Sequence, residues 1–164
     1  MMRTRMIAMV GALAGSIGLL GLTGAPALAT GSARDCVVDL DHATMTCAAT
    51  EAQARHQGGV TPAALTIARV YDGTNYSGAS LAFVQSRACT PAYDSEWQWD
   101  NLGVTSGGNW SNRISSVRTY NKCDVRFFDG VNFGGASSTW IDASANLGAV
   151  GSGWSNRASS VKFS

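Results

Sequence analysis

The octapeptide Trp110-Ser111-Asn112-Arg113-Ile114-Ser115-Ser116-Val117 returns as Trp154-Ser155-Asn156-Arg157-Ala158-Ser159-Ser160-Val161, with one difference, Ile114 against Ala158. The repeat continues upstream. RVYDGTNYSGASLAF (69–83) aligns without a gap with RFFDGVNFGGASSTW (126–140), so that Tyr71, Tyr76 and Phe83 meet Phe128, Phe133 and Trp140. Asn101-Leu102-Gly103 returns at Asn146-Leu147-Gly148. The second copy is therefore the first with a shorter middle loop, and the duplicated stretch is the folding unit. Two copies are too few for a solenoid. They suit one domain with internal pseudo-two-fold symmetry.

The periodicity inside each copy is that of strands. LTIARVY (65–71) and CDVRFF (123–128) are strand-like, and each runs into Asp-Gly, a hairpin signal. ISSVRTY (114–120) and ASSVKFS (158–164) close the two copies. Helical periodicity is absent, and short strands between Gly-rich turns predict an all-β sandwich or barrel over residues 65–164, with repeats at about 66–120 and 124–164. Gly78 and Gly135 are expected where φ is positive or two backbones approach closely. Tyr76 and Phe133 can cover the folded hairpins, and Trp110 and Trp154 belong to the core.

These residues resemble the βγ-crystallin family. Tyr71-x4-Tyr76-x-Gly78 and Phe128-x4-Phe133-x-Gly135 look like its aromatic-aromatic-glycine hairpin signature. SNRISS (111–116) and SNRASS (155–160) look like its calcium sequence at the start of each closing strand. The resemblance implies two four-stranded Greek keys in one wedge-like sandwich, with two calcium sites at one end. The disulfide-bearing, exported form also resembles bacterial proteins of a metalloproteinase-inhibitor group that shares this fold.

The N-terminus reads as a secretory signal. Arg3 and Arg5 precede an apolar stretch from Met6 to Leu22, and Ala27-Leu28-Ala29 fits a small-x-small cleavage site. The expected boundary is 1–29, and the expected location is extracellular. With twelve basic and eleven acidic residues, two of the former in the signal, the remainder is nearly neutral. That excludes a basic footprint for nucleic acid or for a membrane surface. Four cysteines in an exported chain should pair, and three pairings exist. The local one joins Cys36 to Cys47 across a hairpin turning near Asp41-His42, and Cys89 to Cys123. Residues 30–64 read as a small hairpin and short helix, Thr50 and Gln53 forming a weak capping box and the helix ending near Gln57. This module is too small for a core of its own. It either packs on the main domain or is a leader trimmed after export.

The repeated loop has two readings. The resemblance assigns the hydroxyls of Ser115 and Ser159 as direct Ca2+ ligands, with carbonyls around Asn112, Arg113, Asn156 and Arg157 and carbonyls of hairpins from the opposite motif. Calcium takes six to eight oxygens, and ligand charge sets affinity. Ser111 and Ser155 stand where the family carries Asn or Asp, and neither loop contains a carboxylate, so the expected dissociation constant is roughly 10⁻⁵–10⁻³ M. The other reading is a turn whose Asn and Ser side chains bond the local backbone. Asp72 and Asp129 are the nearest carboxylates, and turn formation is their favoured role.

No enzyme is legible. The two histidines, His42 and His56, both precede the main domain, and nothing in the spacing of carboxylates marks a catalytic pair. Two binding functions stand beside calcium-stabilised structure. The long segment from Cys89 to Asn101 carries Pro91 and Tyr93, and a rigid exposed loop can fill the cleft of an extracellular protease at little ordering cost. Trp97 and Trp99 in the same segment offer aromatic faces for a cell-wall glycan. A secreted, non-enzymatic monomer is expected.

Overall fold

The computed structural model describes residues 34–103 and 108–164, so the expected signal segment 1–29 lies outside the described residues. The order is β1 (Asp35–Asp39), β2 (Thr44–Ala48), α1 (Glu51–Gln57), β3 (Leu65–Tyr71), β4 (Ser80–Gln85), β5 (Trp97–Trp99), β6 (Ser116–Thr119), β7 (Val125–Phe128), β8 (Ala143–Ser144) and β9 (Ser160–Phe163). Two sheets form. One runs β2-β1-β4-β3-β6-β8 and the other β5-β9-β7. The four strand-like stretches 65–71, 114–120, 123–128 and 158–164 supply β3, β6, β7 and β9.

The strand orders show what the duplication builds. β3, β4 and β6 of the first copy share a sheet, but β5 of that copy pairs with β9 of the second, Trp97 opposite Phe163 and Trp99 opposite Val161. Reciprocally, β8 of the second copy pairs with β6 of the first, Val117 opposite Ser144. Each copy thus gives one strand to the other's sheet, which is the crossed Greek-key arrangement of a βγ-crystallin-type sandwich. The second copy's counterpart of β4 is reduced to isolated bridges, Phe128 with Ser137 and Val125 with Ile141.

The core lies between the sheets. Phe83, Phe127, Phe163, Ile67, Leu81, Leu102, Ile114, Leu147 and Trp110 are fully buried, and the rings of Phe83 and Phe163 meet at 4.8 Å between centroids, one from each sheet. Burying side chains of this size contributes about 1.5–3 kcal/mol each before entropy is counted.

The hairpins are longer than the Asp-Gly signal suggests. Residues 72–79 connect β3 to β4 as a folded loop, not a two-residue turn. Asn75 and Tyr76 have φ of 55° and 60°, and their equivalents Asn132 and Phe133 have 53° and 61°. That puts the second ring back over the strand, Tyr76 edge-on to Tyr71 at 5.9 Å and Phe133 edge-on to Phe128 at 5.7 Å. Gly78 and Gly135 carry the expected positive φ, 83° and 74°, and a Cβ there would meet Asp72 Oδ1 at 2.0 Å and Asp129 Oδ1 at 1.9 Å.

Residues 35–57 pack on the main domain. β1 adds to β4 in parallel, Cys36 opposite Leu81 and Val38 opposite Phe83. Asp35 Oδ1 accepts from the Ser80 amide at 2.9 Å and from its hydroxyl at 3.0 Å. α1 is capped as expected, Thr50 Oγ1 accepting from the Gln53 amide. Its Ala54 packs with Val37, Ala48, Ala82 and Val84 in a second small core. Glu51 then receives Arg55 Nε at 2.9 Å and Arg69 Nη2 at 2.6 Å, tying the helix to β3. With β1 at its edge and α1 over its face, every residue of β4 is buried, which is why SLAFVQ shows no alternation of polar and apolar residues. Both local disulfides form, Cys36–Cys47 across the β1–β2 hairpin and Cys89–Cys123.

Candidate functional site

Two surfaces bring together the residues singled out in the sequence. The first is the pair of WSNRxSSV loops, which lie back to back across the pseudo-two-fold. The Asn112 amide donates to Ala158 O and the Asn156 amide to Ile114 O, both at 2.8 Å. Ser115 Oγ donates to Asn156 Oδ1 at 3.2 Å, and the hydroxyls of Ser111 and Ser159 are 2.9 Å apart. Ser115 and Ser159 are buried, while Asn112 and Asn156 are exposed, with φ of 55° and 56°. Asn tolerates this left-handed backbone better than most residues, which accounts for its place in both copies.

The arginines turn back onto the domain. Arg113 lies over the buried Trp110 ring at 4.6 Å and Arg157 over Trp154 at 4.5 Å. Each guanidinium then meets the hairpin aspartate of its own copy, Arg113 Nη2 to Asp72 Oδ2 and Arg157 Nη2 to Asp129 Oδ2, both at 2.9 Å. The other carboxylate oxygens accept from Ala79 N and Ala136 N at 2.8 Å. The Arg157 hydrogen bond outweighs burial and holds the Asp129 carboxyl below the ordinary range. Both aspartates therefore brace their turns, and their oxygens are already engaged.

This arrangement tests the loops as a cation site. The oxygens present are neutral: the Ser115 hydroxyl, which keeps its lone pairs while donating its proton to Asn156, the Ser159 hydroxyl, which shares a hydrogen bond with that of Ser111, and loop carbonyls. Among the described residues no three His, Cys, Asp or Glu side chains converge. The donor set fits a hard cation of low affinity and lacks the charge of a tight site.

The recurring Asn-Leu-Gly tripeptides have a role that their spacing did not disclose. Leu102 and Leu147 are buried, and their amides donate across the pseudo-two-fold to Ser159 O at 2.8 Å and Ser115 O at 2.9 Å. Their carbonyls accept from Trp110 N and Trp154 N at 2.8 Å. The recurrence of NLG ahead of each tryptophan was the available signal.

The second surface is the segment that follows β4. Cys89 is buried and bonded to Cys123, and residues 90–95 are all exposed. Glu96 holds the base of this loop. Its Oε1 accepts from the Thr90 amide at 2.6 Å and the Thr90 hydroxyl at 2.8 Å, and its Oε2 accepts from Arg87 Nη1. Its own amide donates to Phe163 O at 3.0 Å, in β9. Ser164 Oγ donates to Ala92 O at 2.6 Å from the other side. Burial pushes the Glu96 carboxyl up, but Arg87 and the two Thr90 donors outweigh it and hold the carboxyl below the ordinary range. Pro91 and Tyr93 project from this frame.

Trp97 and Trp99 belong to β5 and not to the loop, and the W-Q-W alternation is that of a strand. Both rings pack on the core with Gln98 facing out. Arg87 covers Trp97 at 5.2 Å, and Trp99 Nε1 donates to Asn101 O at 3.0 Å. Trp99 also lines a groove of about 300 Å³ with Ala43, Gln98 and Asp100.

The profile of Peptidase inhibitor family I36 matches residues 70–140, a span that includes the whole Cys89–Glu96 loop. No curated protein matches the chain. Among solved structures, a βγ-crystallin domain from Flavobacterium johnsoniae is 24% identical, covering 60% of this chain and 93% of its own, with a TM-score of 0.41. A βγ-crystallin from Ciona intestinalis is 19% identical, with 59% and 98% covered and a TM-score of 0.43. The N-terminal domain of protein S is 16% identical, with 60% and 94% covered and a TM-score of 0.41. The chain has a βγ-crystallin-type fold, and over residues 70–140 it is similar to peptidase inhibitor family I36.

Proposed function

We propose that this protein is an extracellular, non-enzymatic peptidase inhibitor that presents residues 90–95 to the cleft of an endopeptidase, a metalloproteinase among the candidates. The observation that carries this reading is the Glu96 frame. A contiguous exposed loop is fixed at one end by the Cys89–Cys123 disulfide and at the other by a carboxylate receiving three hydrogen bonds. A loop ordered before binding loses little conformational entropy on entering a cleft. The same order keeps its peptide bonds from adapting to the enzyme's attack. The two paired disulfides support an oxidising, extracellular setting. The test is titration of thermolysin-like and serine endopeptidases with the purified protein. Inhibition at or below micromolar concentration is expected, and none at that concentration would end this reading.

A second reading concerns the twin loops. Two buried serine hydroxyls related by the pseudo-two-fold, in loops that each hold an asparagine in the left-handed region, support weak Ca2+ binding that braces the fold. Melting in EDTA, in 5 mM calcium and in magnesium tests it. At about 100 times the dissociation constant, each site should add about 2.7 kcal/mol. That gain should vanish in Ser115→Arg with Ser159→Arg. Superimposable curves for the wild type would leave the loops as a purely structural clamp held by the Arg113–Asp72 and Arg157–Asp129 pairs.

A further inference from the structure

We infer that Tyr93 is the anchor of the inhibitory loop, the side chain that enters an apolar specificity pocket of the target endopeptidase. This rests on the inhibitory reading above and names the residue through which it acts.

Exposure is the first observation. Tyr93 is 74% exposed, and Val131, at 46%, is the other large apolar side chain left in solvent among the described residues. Single exposed apolar residues are ordinary on a protein surface. What sets Tyr93 apart is the frame beneath it. Val131 lies on a different hairpin, in the short turn Val131–Phe133. Tyr93 instead sits at the centre of 90–95, between the disulfide at Cys89 and the carboxylate at Glu96. Pro91 restricts φ two residues earlier, and the carbonyl of Ala92, next to Tyr93, is held by Ser164 Oγ. The backbone that carries the ring is therefore fixed while the ring itself is free.

The surroundings supply the second observation. Beside the loop runs a groove of about 240 Å³ lined by Thr90, Pro91, Ala92, Tyr93, Lys122, Asp124 and Ser164. Thr90, Lys122, Asp124 and Ser164 make its far wall polar, and Pro91, Ala92 and Tyr93 are contributed by the loop itself. An enzyme rim seated on the polar wall would make hydrogen bonds and charge contacts, leaving the ring as the one large apolar side chain that the loop offers. A rigid aromatic of two rotatable bonds, the single aromatic of a preorganised exposed loop, matches the composition of interface hot spots. The partner this geometry fits is an endopeptidase whose primary pocket takes aromatic or large apolar side chains.

The experiment uses the purified full chain and four forms: wild type, Tyr93→Phe, Tyr93→Ala and Tyr93→Arg. Each is titrated against an aromatic-preferring serine endopeptidase, a thermolysin-like metallopeptidase and an arginine-preferring serine endopeptidase. Because the ring makes no core contact, all four forms should melt alike, so that changes in inhibition report the loop. For the enzyme that the wild type inhibits, Phe should hold the inhibition constant within a few-fold and Ala should weaken it about 100-fold. Arg should move inhibition to the arginine-preferring enzyme. If the wild type inhibits and Tyr93→Ala matches it within about threefold, Tyr93 is not the anchor, although the inhibitory reading stands. If Tyr93→Arg keeps the wild-type target range, the same conclusion follows. A wild type inert against all three enzymes overturns the inhibitory reading and the anchor with it.

Discussion

Replacing Glu96 tests whether the loop is held by the carboxylate or only by the disulfide. In Glu96→Ala the Thr90 amide and hydroxyl lose a charged acceptor, and hydrogen bonds to charged groups contribute about 1.5–3 kcal/mol. The Arg87 pair adds less than about 1 kcal/mol, because the Arg87 side chain is 51% exposed and solvent screens it. Water can reach the freed Thr90 amide, which trims the total. A net loss of about 2–3 kcal/mol for the closed loop follows, or a 30- to 150-fold rise in the open population. Hydrogen exchange at the Thr90 amide reads this directly. Protection should fall by that factor while amides in β3 and β4 keep theirs. Acid should reproduce the effect in the wild type. Because the folded carboxyl sits below its unfolded value, its stabilisation is complete above the unfolded range near 4.3 and is lost as pH falls through the folded value. Loop protection, and inhibition with it, should hold from pH 7 to about 5 and decline below about 4. Equal Thr90 exchange in wild type and Glu96→Ala, or protection unchanged down to pH 3, would refute the carboxylate frame.

Three further outcomes are expected. Gly78→Ala and Gly135→Ala each place a Cβ within 2.0 Å of an aspartate oxygen at positive φ. Each should cost about 2 kcal/mol or more, measured by urea denaturation, with the double variant additive. Removing the second disulfide by Cys89→Ala with Cys123→Ala opens a loop of sequence separation 34 and should cost about 3–4 kcal/mol by the chain-entropy relation, read as a lower melting temperature. Phe83→Ala removes the ring that meets Phe163 between the sheets and should cost about 3–5 kcal/mol, as far as the domain survives it.

How much of this was legible depended on whether the signal was local. The duplication, the strands, the capped helix, the positive-φ glycines and both disulfides are written in short stretches or short spacings. The docking of β1 beside β4 was not, because a parallel pairing between 36–39 and 81–84 leaves no turn signature between them. The lack of alternation in SLAFVQ was the only hint that both faces of that strand are covered. At the twin loops, the sequence placed an arginine in each copy. It did not show that each would stack on its own tryptophan and neutralise its own hairpin aspartate, since those partners are separated by as many as 41 residues. Similarly, Trp97 and Trp99 read as ligand platforms until the pairing with β9 turned their rings inward.

The exchange of strands between the two copies bears on how the chain acquires its shape. β9 lies at the centre of its sheet, between β5 and β7, yet it follows every other strand in the chain. Until residues 160–163 are available, β5 and β7 have no shared neighbour, and Phe83 lacks the ring it packs against. The first copy's sheet likewise takes its edge strand, β8, from the second. Neither copy therefore holds a complete sheet of its own. This means that a fragment ending between the copies and its complement should each be unstructured alone and fold when mixed.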